Sequence, residues 1–398
     1  MNIVVYKASG GFNYDVVNIF SDELAQGFKN LGHNVELIDV NTEKKFPVEN
    51  IDMIVTFNAI FGMIPQVANF YSQTNILMVT LLVDSPLYLY ERIKKLSPQN
   101  TIIGMYASHF LGLYDKYFSE NNIMVQVMHG GTQVEHLQKC SDIVMAGSFN
   151  IPNKELIDTI KNNISYLHIK KIYKEQFLSI IDPILKEAME DRNSVLEWLF
   201  DKHLEIINFN GYPKNVMDNF RIILAQLYEY IDKIRRYDMR FIALKTLLEA
   251  GLTVDLYGDC QLQELRKYPN LNIYGPRPYL ELLKKVAASK IWIHDIAPNV
   301  NGSHERVFSG MLNKTLVICN QNDYVNGEVK DGETIVFYDA NKPEQLAEKV
   351  KYYLEHDDER EKIVKQAYNY AKDKHTWQNR AVELTNLYYI YQDMKQNK

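Results

Sequence analysis

Between Asn301 and Asn320 the chain reads NGSHERVFSGMLNKTLVICN, which sets an acid and a base, Glu305 and Arg306, side by side. Asn301, Gly302 and Ser303 are turn and capping residues, so the pattern predicts a helix starting near His304, with Val307 and Met311 on one face. An apolar run, Ile291–His294, precedes the loop and another, Leu316–Cys319, follows the helix. Strand, loop, helix and strand in that order put the loop at the carboxyl end of a parallel sheet, where such folds bind ligands. The N–H groups of a first helical turn favour anions, and a guanidinium fork matches phosphate oxygens. The chemistry expected here is anion binding. Lys314 either adds to that charge or sits at a helix end, where a cation is favoured.

Asp84 and His129 each end an apolar strand, and both are residue types that exchange protons during catalysis. Each also has a plainer reading: Asp84 as a cap before Ser85-Pro86, His129 as a hydrogen-bonding group before Gly130-Gly131. His294 and Asp295 are too few to hold a metal, which needs three or four ligands. Cys140, Cys260 and Cys319 are far apart and not in ligand spacing. No metal site is predicted.

These residues need a scaffold, and the pattern supplies two. In the first third, strands over Asn2–Tyr6, Val35–Val40, Asp52–Phe57, Ile76–Val83, Ile102–Tyr106 and Met124–Met128 alternate with helical stretches, which predicts a parallel sheet covered on both faces. The loop after the first strand, Ser9-Gly10-Gly11-Phe12, lacks the spaced third glycine and the acid of a dinucleotide fingerprint. From Asn153 to about Ala250 the pattern is helical, punctuated by Pro183 and Gly211-Tyr212-Pro213. This block reads as a solvated insertion without chemistry of its own, although its basic, aromatic piece Tyr230–Tyr237 would also suit contact with an acidic membrane surface. Alternation resumes at Leu252 and continues to a closing helix from Thr376.

The fold class expected is therefore α/β: two Rossmann-like domains facing a cleft, with a helical insertion in the second. The boundaries are 1–138 for the first domain and 139–375 for the second, the latter including the block 153–250. Helix 376–398 packs back on the first domain. A chain of 398 residues suits two cores, and 46% hydrophobic with 24% charged residues describes a globular protein. The net charge of -6 gives no reason to expect a nucleic-acid partner. The amino terminus reads as a first strand rather than a secretory signal, and no apolar run reaches the ~20 residues of a membrane span, so cytoplasmic residence is the expectation.

The second half resembles the carboxyl-terminal domain of GT-B glycosyltransferases, in particular the CgeB/YkvP-like glycosyltransferase-like family. The residues that carry the likeness are Leu256-Tyr257-Gly258-Asp259, Gly275-Pro276-Arg277-Pro278-Tyr279, Ser303 to Phe308, Asp331-Gly332-Glu333 with Phe337-Tyr338, and His375-Thr376-Trp377 with Arg380-Ala381. Val83 to Pro86 and His129-Gly130-Gly131 carry it more loosely in the first half.

The resemblance implies a nucleoside-diphosphate sugar as ligand, UDP- or GDP-linked, with no other cofactor. It places donor binding at Tyr257, Gly258, Arg277, Ser303, His304, Glu305, Arg306 and Asn320, with Glu305 toward hydroxyls and Arg306 toward the diphosphate. Acid–base work falls to Asp84 and His129, and an acceptor of unknown kind lies beside Gly10, Gly11, Phe12 and Asn13. The activity implied is metal-independent transfer of a sugar to a glycan, lipid or protein. The family often has Phe-Glu where this chain has Phe308-Ser309, and Asn313 stands two turns after Glu305 where retaining enzymes commonly carry a second glutamate. Those departures keep two rivals open: a non-catalytic structural or assembly protein, and a sugar-nucleotide epimerase of the same fold.

Overall fold

The computed structural model describes residues 1–9, 15–43, 45–118, 122–150, 155–295, 298, 300–324 and 327–397. In chain order the first half holds β1 (Asn2–Lys7), α1 (Val16–Asn30), β2 (Asn34–Asp39), β3 (Met53–Phe57), α2 (Pro65–Ser72), β4 (Leu77–Leu82), α3 (Tyr90–Ile93), β5 (Thr101–Met105), α4 (His109–Tyr117) and β6 (Ile123–Gln126). Next come β7 (Ser141–Ala146), α5 (Leu156–Tyr166), α6 (Lys171–Glu190), α7 (Leu196–Leu204), α8 (Lys214–Glu249), β8 (Val254–Tyr257), β9 (Leu271–Ile273), α9 (Tyr279–Ala287) and β10 (Ser289–His294). The chain closes with β11 (Val300–Gly302), α10 (Glu305–Leu312), β12 (Leu316–Asn320), β13 (Asp323–Tyr324), β14 (Val336–Tyr338), α11 (Glu344–Glu355), α12 (Asp357–Lys374) and α13 (Trp377–Gln396).

Two six-stranded parallel sheets result, ordered β2-β1-β3-β4-β5-β6 and β14-β12-β10-β7-β8-β9. Their central strands are buried on both sides, as the runs Met53–Phe57 and Leu77–Leu82, apolar but for Thr56 and Thr80, require. In the second sheet the strand order reverses between β7 and β10, so a crevice opens at their carboxyl ends.

Three features hold the two domains together. The first is α13, which crosses back onto α1: Trp377 packs on Phe20 and Phe57 with ring centroids 4.7 and 5.6 Å away, and its helix start is fixed by a Thr376–Asn379 capping box. The second is the connector after β6. Ser309 Oγ accepts the Thr132 N–H at 3.0 Å, and Asn313 receives the Val134 N–H at 2.9 Å while donating to the Thr132 carbonyl at 2.9 Å. The third is the loop before α10, where the Ser108 N–H reaches the Val300 carbonyl at 3.2 Å and the Val300 N–H reaches His109 Nδ1 at 3.1 Å. Gly302 lies flat against Ala107, where any side chain would collide.

The helical block interrupts the second sheet between β7 and β8 in sequence, yet α5, α6, α7 and the first half of α8 share a core with the first domain, through Ile164, Phe177, Phe200 and Leu227 among others. The second half of α8, from Ala243 to Leu248, joins the second domain's core instead. The reading of this block as solvated scaffold is thus corrected. Tyr230, Ile231, Asp232 and Arg235 are buried, because α8 lies between two cores, and Lys233 is the exposed residue of this piece. Pro183, expected to punctuate the block, sits inside α6 without ending it; Ile180, Ile181 and Ile184 around it are fully buried, and that packing outweighs the lost backbone bond. The break falls instead after Glu190, ahead of α7. Among the described residues no helix is long and apolar enough to cross a membrane.

Candidate active site

The carboxyl ends of both sheets meet around one cavity of about 290 Å³. From the second domain, the end of β10 contributes His294 and the residue after it, Asp295, and the start of α10 contributes His304, Glu305 and Arg306. From the first, the loop after β4 gives Asp84 and Ser85, and the end of β5 gives Tyr106. The helical block adds Glu197, Tyr228, Asp232, Arg236 and Arg240.

The helix at Glu305 begins as the turn chemistry demands, with one change of actor. Its N-cap is His304, held extended, with Nδ1 3.4 Å from the Arg306 nitrogen. The same nitrogen pairs with Glu305 Oε2. Burial pushes the Glu305 carboxyl up, but His304, Arg306 and His129 outweigh burial and hold it at about 2. Glu305 is therefore an anion at neutral pH.

Three arginines converge, each set by a carboxylate. Arg306 lies with Nε 3.7 Å from Glu305 and donates Nη1 to the Ala146 carbonyl at 2.8 Å, at the end of β7. Arg240 donates Nε to Asp295 at 2.7 Å and Nη1 to the Ser148 carbonyl at 3.0 Å. Arg236 donates to Asp232 and, at 2.6 Å, to the Tyr88 hydroxyl. A guanidinium carries five N–H donors, so each keeps donors for a ligand while its fork is fixed. The three cations also feel one another. Burial lowers the Arg240 pKa, Asp295 opposes this, and Arg306 and Arg236 add to the lowering.

His294 stands among these cations, 4.9 Å from the His304 ring. Burial, then His304, Arg306 and Arg240, hold it well below the usual imidazole range, so it is neutral. Asp84 shares the cavity. Its carboxylate accepts from Asn58 Nδ2 at 2.9 Å, and burial raises its pKa against the pull of Arg236, the Asn58 bond and His304.

The structure thus brings Asp84, His304, Glu305 and Arg306 to one cavity, and leaves other expected residues off its wall. His129 is buried beneath it, Nε2 3.4 Å from the Leu82 carbonyl and its ring 4.5 Å from that of Tyr106. Burial lowers its pKa to about 4. Tyr257 stacks on Tyr274 at 4.9 Å, and Arg277 is exposed, donating to the neighbouring Pro276 carbonyl. Gly258 has φ +133 and lies against the Gly147 backbone, which a side chain would strike. Ser303 is fully buried, and Asn320 is buried at the end of β12. Gly10, Gly11, Phe12 and Asn13 lie outside the described residues. Among the described residues no group of three or more His, Cys, Asp or Glu is arranged to hold a metal ion.

Sequence reasoning missed Arg236, Arg240 and Glu197. The signal available was the i, i+4, i+8 spacing of Asp232, Arg236 and Arg240, a polar stripe on one face of α8.

Solved structures of this architecture cover nearly the whole chain. Sucrose-phosphate synthase from Thermosynechococcus elongatus aligns over 100% of both chains, with TM-score 0.56 and 10% identity. An alpha-glucosyltransferase solved with UDP-glucose and DNA containing an abasic site aligns over 98% of this chain and 99% of its own, with TM-score 0.56 and 12% identity. Anabaena HepE in complex with UDP-glucose aligns over 97% and 99%, with TM-score 0.51 and 12% identity. The fold is that of GT-B glycosyltransferases. Residues 235–386, less than half of the chain, also match a family described as glycosyl transferase-like. Among curated proteins, none matches at a significant level. The matched segment begins within α8 and takes in Arg236, Arg240, α10 and the first half of α13, so the second domain's half of the cavity lies largely inside it.

Proposed function

We propose that the protein is a glycosyltransferase that moves a sugar from a nucleoside-diphosphate sugar, UDP- or GDP-linked, to an acceptor hydroxyl without a metal ion. The observation that carries this reading is the convergence of Arg236, Arg240 and Arg306 beside Glu305, at the point where the second sheet's strand order reverses. Fixed guanidinium donors at such a crevice suit a diphosphate, in the ground state and as a leaving group. The UDP-glucose complexes of two structures with this fold support it, as does the glycosyl transferase-like match. The motifs quoted from the sequence favour the CgeB/YkvP-like group within that class.

In this reading the diphosphate lies against the three guanidinium groups, and Glu305, ionised throughout, accepts hydrogen bonds from donor hydroxyls. Asp84 takes the proton of the acceptor hydroxyl as its oxygen bonds the anomeric carbon and the bond from that carbon to the diphosphate breaks. Its raised pKa improves it as a base near neutral pH. His129, beneath the wall, acts on Glu305 and Tyr106 rather than on substrate. Calorimetric titration of the full chain with UDP, GDP, ADP, CDP and dTDP tests the donor site. Binding by one of them is expected; binding by none leaves the non-catalytic reading, and interconversion of a bound sugar without transfer leaves the epimerase.

A further inference from the structure

The cavity has a second wall, which meets the arginine side at the Arg236–Asp232 pair. It is formed by the loops after β4 and β5 on one side and by α7 and α8 of the helical block on the other. Here aromatic rings alternate with buried acids. Tyr106 meets Phe110 edge-on at 5.0 Å, and Tyr88 meets Tyr228 at 5.9 Å. Glu197 accepts the Tyr228 hydroxyl and stands 3.5 Å from His109 Nε2, while Asp232 accepts the Tyr88 hydroxyl. Glu197 and Asp232 are at most 5% exposed. His109 Nδ1 is occupied by the Val300 N–H, so its other nitrogen faces Glu197 as a donor.

A chain that needed only to pack helices against this sheet would do so with apolar residues, since buried acids carry a desolvation cost. The arrangement fits a ligand that offers hydroxyls to carboxylate and phenol oxygens and C–H faces to rings. Among the described residues an alkyl chain would lie against Glu197 and Asp232, and a phosphate-bearing acceptor such as DNA would meet these acids and Asp84. We infer that this wall is an acceptor subsite for a neutral polyhydroxylated sugar, built by Glu197, Tyr228 and Asp232 of the helical block together with Tyr106. The inference rests on the glycosyltransferase reading and names its acceptor class.

The test uses the full chain and the nucleotide sugar that most raises its thermal transition. Transfer is assayed to methyl glycosides of common hexoses, to an alkyl phosphate in neutral vesicles and to duplex DNA. Saturable transfer to at least one glycoside is expected. Tyr228→Phe and Glu197→Gln should raise its KM by about ten-fold or more, the effect of one hydrogen bond involving a charged group, and leave the nucleotide Kd within about two-fold. A deoxy glycoside lacking the recognised hydroxyl should be discriminated by the unaltered protein and not by the affected variant, a readout that loss of packing alone would not produce. Transfer to DNA or alkyl phosphate without transfer to glycosides overturns the inference, as does glycoside transfer that both variants leave unchanged. If no nucleoside diphosphate binds the unaltered protein, the donor reading fails and this inference with it; if one binds, only the acceptor result decides here.

Discussion

Arg240, on the helix inserted into the second sheet, donates its Nε to Asp295 at the tip of β10, across 55 positions of sequence and 2.7 Å of space. The pair fastens the helical block to the crevice where the sheet's order reverses, and it aims a guanidinium at that crevice. Arg240→Lys keeps the charge and loses the fork, so nucleotide affinity should fall about ten-fold with a modest loss of stability. Arg240→Ala also leaves Asp295 buried and unpaired and should cost about 3–5 kcal/mol of folding free energy. Titration calorimetry and denaturant unfolding of the two variants check this. Unchanged affinity in Arg240→Lys would remove the residue from the donor site.

Asp84→Asn should lower kcat by roughly 10²–10⁴ and leave nucleotide Kd unchanged, since it removes a base and keeps the shape. In the unaltered protein the acid limb of the rate profile should lie above the ordinary carboxylate range, because burial raises Asp84. A profile flat down to pH 4 would assign the base elsewhere.

The sequence departs from its look-alike family at Ser309, and the structure explains what stands there. Ser309 is fully buried; its Oγ accepts the Thr132 N–H and lies 2.9 Å from the Tyr279 hydroxyl. Ser309→Glu should therefore not improve catalysis. It should break the connector and bury a charge, for a loss of about 3 kcal/mol or more seen as a lower thermal transition. A gain in activity with the transition intact would show that the position faces substrate.

How much of this was legible follows from where the information lay. Glu305 and Arg306 were readable because strand, loop, cap and helix are local in sequence, and so was the alternation that makes two parallel sheets. Arg236 and Arg240 were not, because a polar stripe on an amphipathic helix looks the same whether it meets solvent or the far wall of a cleft. Only the packing of α8 between two cores decides between them. Gly258 shows the same limit. The resemblance placed it at the donor, but what approaches it is the Gly147 backbone, a partner set by the pairing of β7 with β8.

His129 and His375 make a pH prediction whose sign is fixed. Burial, the largest cause for each, lowers them to about 4 and about 3. Below the unfolded value near 6.5 the unfolded chain takes up protons that the native chain refuses, so stability falls with pH from about 6.5 toward 4. His129 contributes on the order of 3 kcal/mol to that fall by the unit-to-energy conversion. Glu305 adds to it below about 4.3, as pH drops toward 2. Urea unfolding at pH 7 and pH 5 should show the loss, with a smaller loss in His129→Gln. Equal losses in both proteins would mean that His129 is not held neutral.

Glu305 and Arg306 are the residues proposed to bind the donor. Calorimetric titration of a nucleoside diphosphate and its sugar derivative into the unaltered protein, Arg306→Ala and Glu305→Gln tests that assignment most directly. Arg306→Ala should weaken both ligands by about ten-fold or more, and Glu305→Gln should weaken the sugar nucleotide more than the bare diphosphate, with folded thermal transitions retained. Equal binding of both ligands by all three proteins would contradict it.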